Sequence, residues 1–548
     1  MVKDAKYTAN KSSKSFLSDP ESIEKVFQEN EFLCNENSKL KISLEEAREK
    51  IHWFEEQIKL GRQRHFGKSS ETLSSIQGEL IFNAQETLNL GSQEKEKNVS
   101  SESQTITDPR KTKGRKLDTS KLPRKQVFHD LPADEKKCST CAGDLHKIRE
   151  DVSEQIEIIP KQVYVVEHIH PQYGCRHCET VQSAEKEPSP IPKSMAGASL
   201  IGDVIISKYE HHLPLYRQSK ILAGLNIDIP DNTLGKWVMQ SGEALRPMDE
   251  ALEAEILAAS YLQVDETPVK LLEPEKKAFM WCYLSPLSGH RLIRFRFDLS
   301  RSGEVVKSDL KDFKGLLQND GYSGYNGMRE KSEVVPFGCM AHSRRKFAEI
   351  AKISKTVGKA HEALKYFAAL YRIENQAREQ KLIFEERKKL RQKESAPILE
   401  KFQDWLVKSK NQVPPQSTIG AAIQYALNQW CYLIQYVHHG EVEIDNNWVE
   451  NEIRPFALGR RNWLFLAHEE SAQIAALFYS LIQSARLNNL NSRIYMHYLL
   501  TQVHALRKKE INARDLLPHR IDRNQLQQFA DNEFQKAKAL FSTFVTQK

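Results

Sequence analysis

Between residues 261 and 337 the hydropathy pattern of the chain switches period, and the order of the switches limits what it can fold into. Strand-like runs lie at 261–272 and 278–284, and alternating apolar positions mark a third strand at 291–297. Helical spacing follows at 301–313. Strands return at 314–320 and 334–337, with a short helix between them. From Met340 a long helical run continues to about 437, a further helical segment covers about 470–508, and a polar tail closes the chain. The run contains a charged helix at 381–393 whose residues read as mainly solvent-facing. With 548 residues the fold class is α/β and multidomain. A hydrophobic fraction of 40% and a charged fraction of 28% exclude a wholly disordered or collagen-like chain. No apolar run approaches the roughly 18 residues of a membrane span, and no apolar leader opens the chain. A cytoplasmic protein without a membrane partner is the expectation.

Three strands, a helix, a strand, a short helix and a strand are the element order of a ribonuclease H-like catalytic core, here with a helical insertion. Such cores perform metal-assisted phosphoryl chemistry with acids on the first strand, the fourth strand and a later helix. Two Mg²⁺ ions about 3.5–4 Å apart clamp the attacking and leaving oxygens, and Mn²⁺ is a possible substitute. These hard ions need carboxylate oxygens. Asp265 sits inside the otherwise apolar first strand, where an ionisable group needs a partner or an ion. Asp320 ends the fourth strand, just before a glycine turn. The third acid falls after the insertion, in IDNNWVENEIRP, which offers Asp445, Glu450 and Glu452; spacing does not choose among them. Downstream, Arg460 and Arg461 stand among aromatics, a pattern that suits phosphate binding and base stacking.

The N-terminal half reads as a series of DNA grips. Residues 23–61 carry a heptad with Ile23, Asn30, Asn37, Leu44, Ile51 and Ile58 at a, and Val26, Leu33, Leu40, Ala47, Phe54 and Gly61 at d. Asparagines at a favour a parallel homodimer at a cost in stability. A linker follows, and most of the net charge of +7 lies in it: residues 105–126 hold eight Lys/Arg, among them Arg110, Lys111, Lys113, Arg115 and Lys116, against two Asp. Next, Cys138-Ser-Thr-Cys141 and Cys175-Arg-His-Cys178 bracket 33 residues with strand-like runs. Four thiolates so spaced close a tetrahedral structural Zn²⁺ site in a zinc ribbon and leave no position for a catalytic water. Two helices joined by a turn then resemble a helix-turn-helix, with Lys236 on the second helix.

These motifs together resemble the insertion-sequence-66 family of bacterial DDE transposases. The resemblance runs collinearly through RHFGKSSE, FHDLP, CSTC…CRHC, SKYEHHLPLYRQ, VDETPVK, DGYSGYN, GCMAHSRRKF, IDNNWVENEIRPFALGRRNWLF and SARLNNLNSRIYMHYLL. It implies that Asp265, Asp320 and Glu450 are the catalytic, Mg²⁺-binding acids, so that Glu450 is the third acid. It also implies hydrolysis at element ends, joining of the freed 3′ hydroxyls to target DNA, and small accessory proteins encoded by the same element. His342, Arg344, Arg345 and Arg454 become candidate DNA contacts. Glu452 stands where the family has a small residue. The expected organisation is a coiled-coil helix and basic turn (1–71), a basic linker (72–126), a zinc ribbon (127–190) and a helix-turn-helix-like region (191–258). The core lies at 259–348 and 441–508, split by the insertion (349–440), with a C-terminal tail (509–548). A bacterial, nucleoid-associated protein is implied. The rival readings are a ribonuclease H-like DNA nuclease or resolvase without strand transfer, and a non-catalytic DNA-binding regulator. The ribbon reading has a direct check by metal analysis. Cys138→Ser is expected to lower bound zinc from one ion per chain, and a zinc-free unaltered chain would remove the ribbon.

Overall fold

The structure is a computed structural model. It describes residues 189–546 apart from 274, 288 and 354–356, shorter pieces at 155–156, 161–174 and 181–183, and helical residues at 28–41 and at intervals to 58. The chain divides into two units, one of residues 1–91 and 168–548 and one of 92–167. Of the second unit, residues 161–167 are neither helix nor strand. Cys138, Cys141, Cys175, Cys178 and the basic stretch 105–126 lie outside the described residues. In the first unit, the heptad residues Leu33, Leu40, Leu44, Ile51, Phe54 and Ile58 are exposed. Strands β1 (Gln172–Gly174) and β2 (Val181–Ser183) pair antiparallel on either side of 175–180.

Four helices follow: α1 (Ala198–Tyr209), α2 (Leu215–Ala223), α3 (Asp231–Ala244) and α4 (Arg246–Leu257). The α2–α3 pair occupies the expected helix-turn-helix segment. α3 buries Leu234, Val238 and Ser241 and leaves Lys236 exposed. Five strands then form one sheet: β3 (Tyr261–Leu271), β4 (Lys276–Ser285), β5 (Leu292–Asp298), β6 (Gly315–Gln318) and β7 (Val334–Phe337). Their spatial order is β5-β4-β3-β6-β7. The hairpin-linked strands β3, β4 and β5 pair antiparallel. β6 and β7, reached through α5 (Gly303–Asp309) and a short helical turn, run parallel to β3. Tight turns permit only the first pairing, and crossovers produce the second.

After β7 come α6 (Met340–Ile353), α7 (Lys359–Glu379), α8 (Phe384–Leu390), α9 (Ala396–Lys410) and α10 (Thr418–Asn428). They share a core of Phe347, Phe367, Leu370, Phe402, Leu406 and Ile423. The chain returns to the sheet with α11 (Asn447–Trp463), α12 (Glu469–Leu487), α13 (Ser492–Arg507) and α14 (Arg523–Thr546). α12 covers the edge strand β5: Ser484 Oγ accepts Ile293 N–H and Ser480 Oγ accepts Phe295 N–H, at 3.0 and 2.8 Å. A side that would otherwise offer open pairing groups is thereby closed. No helix of the described residues is long and apolar enough to cross a membrane.

Two expectations change. β6 stops at Gln318 rather than at Asp320, because Asp320 Oδ1 turns back to accept Tyr322 N–H at 2.8 Å and Gly321 takes φ +87°. The polar tail holds α14. Ahead of it, Arg514 and Arg520 ion-pair with the buried Glu255 of α4; burial would raise that carboxyl, but Arg514, His290 and Arg520 hold it near 2. The charged helix is mainly solvent-facing, as expected, but two of its arginines turn inward. Arg387 bonds to Glu374 and Glu443, Arg391 bonds to Glu374, and both Arg391 and Glu374 are fully buried. Spacing sees charge but not the carboxylates that another helix brings. Burial alone would raise Glu443, yet Arg387 and Arg378 hold it near 2. Arg391→Ala is expected to cost about 3–5 kcal/mol of unfolding free energy by leaving Glu374 short of a partner. Denaturant titration checks this, and the Arg391→Ala, Glu374→Ala pair should lose less than the two single losses together.

Candidate active site

The register of β3 against β6 aligns two acids. Gln263 pairs with Gln318, so Asp265, inside β3, and Asp320, just beyond β6, each stand two residues past the end of the β3–β6 ladder. Strand alternation puts Tyr261, Gln263 and Asp265 on one face of β3. Tyr261, Gln263 and Gln318 are fully buried and bonded together: Gln263 Nε2 donates to Gln318 Oε1 at 2.9 Å, and Tyr261 Oη donates to the same oxygen at 2.6 Å. The same side chains seize the segment that leads into α11. Gln263 Nε2 donates to Asp445 O and Gln318 Nε2 to Glu443 O, at 3.1 and 2.9 Å. Gln263 Oε1 accepts Val449 N–H at 3.1 Å, capping one of the amides that a helix start leaves unpaired. Asn446 Nδ2 donates to Val264 O at 3.0 Å. Glu450, in the first turn of α11, is thus tied to the strands that carry the other two acids.

Asp265 is raised well above the usual carboxylate range by burial, and then by the charges of Glu266, Asp320 and Glu450. Its Oδ1 accepts Glu266 N–H at 2.9 Å. Asp445 turns the other way: Tyr371 Oη donates to Oδ2 and Asn447 N–H to Oδ1, at 2.8 and 3.2 Å, and burial lifts it to about 6. Burial lifts Glu452 to about 7, opposed by Arg486 rather than joined to the acids. Of the three acids that spacing left open, Glu450 is the one whose charge reaches Asp265.

The loop after Asp320 is fixed from both sides. Tyr425 Oη of α10 donates to Asp320 O at 2.7 Å. A Cβ on Gly321 would lie 2.9 Å from the Gln429 amide, in a backbone region that favours glycine. Glu266, whose side chain is 2% exposed, accepts from Arg301 at 2.6 Å and from Tyr325 Oη at 2.5 Å, which fastens the GYSGY turn to β3.

The donor set fits a hard divalent cation. It comprises three carboxylates, one of them strongly disfavoured as an anion by burial and then by its like-charged neighbours. Glu450 Oε1 is buried and makes no hydrogen bond.

A family model described as "Transposase IS66 family" matches residues 193–474, just over half of the chain. The chain belongs to the IS66 transposase family. A model for the "zinc-finger binding domain of transposase IS66" matches residues 135–179, which include all four paired cysteines and support a structural zinc. A third, "Transposase C of IS166 homeodomain", matches 53–127. The chain is 33% identical over 398 residues to the uncharacterized protein y4jD of Sinorhizobium fredii, covering 70% of this chain and 77% of the relative. It is 30% identical to y4hP of the same organism, covering 70% and 72%, and 27% identical to y4qI, covering 85% and 89%.

The candidate DNA contacts of this IS66 transposase separate. Arg345 is exposed and bonds to Glu450 Oε2 at 3.2 Å, and His342 is half-buried with Nδ1 3.6 Å from Glu450 Oε1. Arg344, on the same helix, is buried at 8% exposure, so the arginine pair does not act as one patch. Arg454 is half-buried on α11. Arg460 donates to Thr267 Oγ1 at 3.2 Å and to Pro268 O, whereas Arg461 is exposed. Arg110, Lys111, Lys113, Arg115 and Lys116 lie outside the described residues. Sequence reasoning missed Gln263, Gln318, Glu266 and Tyr425. The two glutamines had a signal: each is an uncharged polar residue inside an apolar strand, which a buried partner must satisfy. Gln263→Leu is expected to lower the unfolding free energy by about 2–4 kcal/mol, because Val449 N–H and its neighbours lose their partner. Amide exchange in the first turn of α11 should rise with it; unchanged exchange would mean that the helix start is held by other bonds.

Proposed function

We propose that this IS66 transposase is a DDE enzyme that binds the ends of an insertion sequence, hydrolyses DNA there and joins the freed 3′ ends to target DNA. The observation that carries the reading is the convergence of Asp265, Asp320 and Glu450 from β3, the β6 end and α11. Supporting it, the sheet order of three antiparallel strands followed by two parallel ones is that of a ribonuclease H-like core. Two Mg²⁺ ions held by the three carboxylates, with Mn²⁺ as a possible substitute, would supply charge neutralisation at the attacking and leaving oxygens. Water attacks a phosphodiester at the element end and releases a 3′ hydroxyl. That hydroxyl then attacks a phosphodiester of target DNA and releases a 3′ hydroxyl in its turn. The chain itself forms no covalent bond to DNA; its residues position and orient. The glutamine network keeps the acids in register, and Tyr425 with Glu266 holds the Asp320 loop. Arg345 and His342 flank Glu450, where they can meet a scissile phosphate.

The remaining parts serve end-pairing. The exposed heptad face supports a homodimer through residues 23–61. The basic linker attracts phosphates, and Lys236, Arg454, Arg460 and Arg461 supply further contacts. Accessory proteins of the same element and a place on the bacterial nucleoid in the cytoplasm belong to the same reading. The test is a strand-transfer assay on pre-nicked element ends. Asp265→Asn, Asp320→Asn and Glu450→Gln should each reduce cleavage and joining by at least about a hundredfold while DNA binding persists. Joining retained by one variant removes that residue from the site. Cutting without joined product in the unaltered enzyme leaves the nuclease or resolvase reading instead.

A further inference from the structure

Where α6 begins, three dissimilar donors face one point. Cys339 Sγ, His342 Nδ1 and a Glu450 carboxylate oxygen all lie within 4.8 Å of one another. The spacing Cys339-x-x-His342 puts the first two on one helical turn, and the glutamine network delivers Glu450 opposite them. Glu450 divides its oxygens. Oε2 takes the Arg345 guanidinium at 3.2 Å, and Oε1 faces His342 Nδ1 at 3.6 Å. Both of those facing atoms are buried and make no hydrogen bond. At 3.6 Å the two atoms are too far apart for a good hydrogen bond and close enough to share one cation. Burial, then the charges of Asp445 and Glu450, push the Cys339 thiol up, and Asn446 N–H, donating to Sγ at 3.2 Å, opposes that push only in part.

We propose that Cys339, His342 and Glu450 form a second cation site that takes a thiophilic divalent ion such as Zn²⁺. The ligand chemistry separates it from the acid trio. Asp265, Asp320 and Glu450 offer oxygen only, which suits Mg²⁺, whereas thiolate and imidazole select softer ions. Three protein ligands leave the fourth tetrahedral position open. Binding requires the Cys339 thiol proton to leave for solvent as the sulfur–metal bond forms. Glu450 belongs to both sets, so a soft ion here withdraws Oε1 from Asp265 and Asp320. The site is therefore a built-in point at which soft cations oppose hard ones. The inference rests on the geometry of these three side chains and not on the chemistry proposed above.

The test is a Co²⁺ titration of the full-length, zinc-containing protein, with thiolate-to-cobalt absorption in the near ultraviolet and the visible bands of tetrahedral cobalt as readouts. One added Co²⁺ per chain should develop both signals. Cys339→Ser should lose the thiolate band, and His342→Asn, a milder change at a half-buried position, should weaken cobalt binding by more than about tenfold. Asp265→Asn should bind cobalt unchanged even while it loses cleavage, so the two proposals fail separately. Absence of the bands in the unaltered protein overturns the site. Bands of equal strength in both Cys339→Ser and His342→Asn also overturn it, since the cobalt then sits on other thiols.

Discussion

A pair of buried amides holds this molecule in working order. Gln263 and Gln318 face each other across β3 and β6, and between them they bond to Tyr261, Asp445 O, Glu443 O, Gly338 O and Val449 N–H. Each hydrogen bond contributes only about 1 kcal/mol net, but leaving any of these buried groups unpaired costs about 1–3 kcal/mol. The network therefore acts less as a source of stability than as a filter on geometry. Any displacement of the chain at 443–449 breaks several bonds together. Asp265 and Asp320 come from neighbouring strands, and Glu450 arrives more than a hundred residues later; the amides are what make the late arrival coincide with the early pair.

Two kinds of buried carboxylate coexist within a short span of sequence. Glu443 and Glu374 are matched by Arg387, Arg391 and Arg378, and both are held low. Asp265 has no cation against it and is pushed high by burial and by three other acids. The first pattern is a closed structural cluster. The second is charge held together by a frame that pulls no benefit from it, the kind of perturbed ionisation that makes a cluster a candidate functional site. The contrast also explains why the insertion carries so many arginines at 378–391: they fasten its helices to the strand-return segment rather than to solvent.

Much of the sheet could be read from the sequence because β3 and β4 are largely apolar runs, β5 alternates and β7 is bounded by turns. The carboxylates on β3 and beyond β6 were visible for the same reason: an acid in an apolar run is conspicuous. The third acid was not. Asp445, Glu450 and Glu452 lie within eight residues, and their separation into a buried group at the helix start, a group whose charge reaches Asp265 and a half-buried group depends on Tyr371, Gln263 and Arg486, none of them nearby in sequence. Family resemblance named Glu450; periodicity did not. At 381–393 the exposed face was legible, whereas the inward turn of Arg387 and Arg391 was not, because their partner Glu374 sits on another helix. The tail looked unanchored because Glu255 lies some 260 positions before Arg514. In each case the missing information is a long-range pairing.

Two phenols of the insertion reach the acid strands. Tyr425 bonds to the carbonyl of Asp320, and Tyr371 bonds to Asp445 at the mouth of α11. The inserted helices are therefore a keystone rather than an appendage. A shortened chain with β7 joined directly to α11 would keep Asp265, Asp320, Glu450 and every strand, yet it would lose both the phenol that holds the Asp320 turn and the Asp445 anchor ahead of α11. Transplanting this core into another protein means carrying the whole helical arch with it.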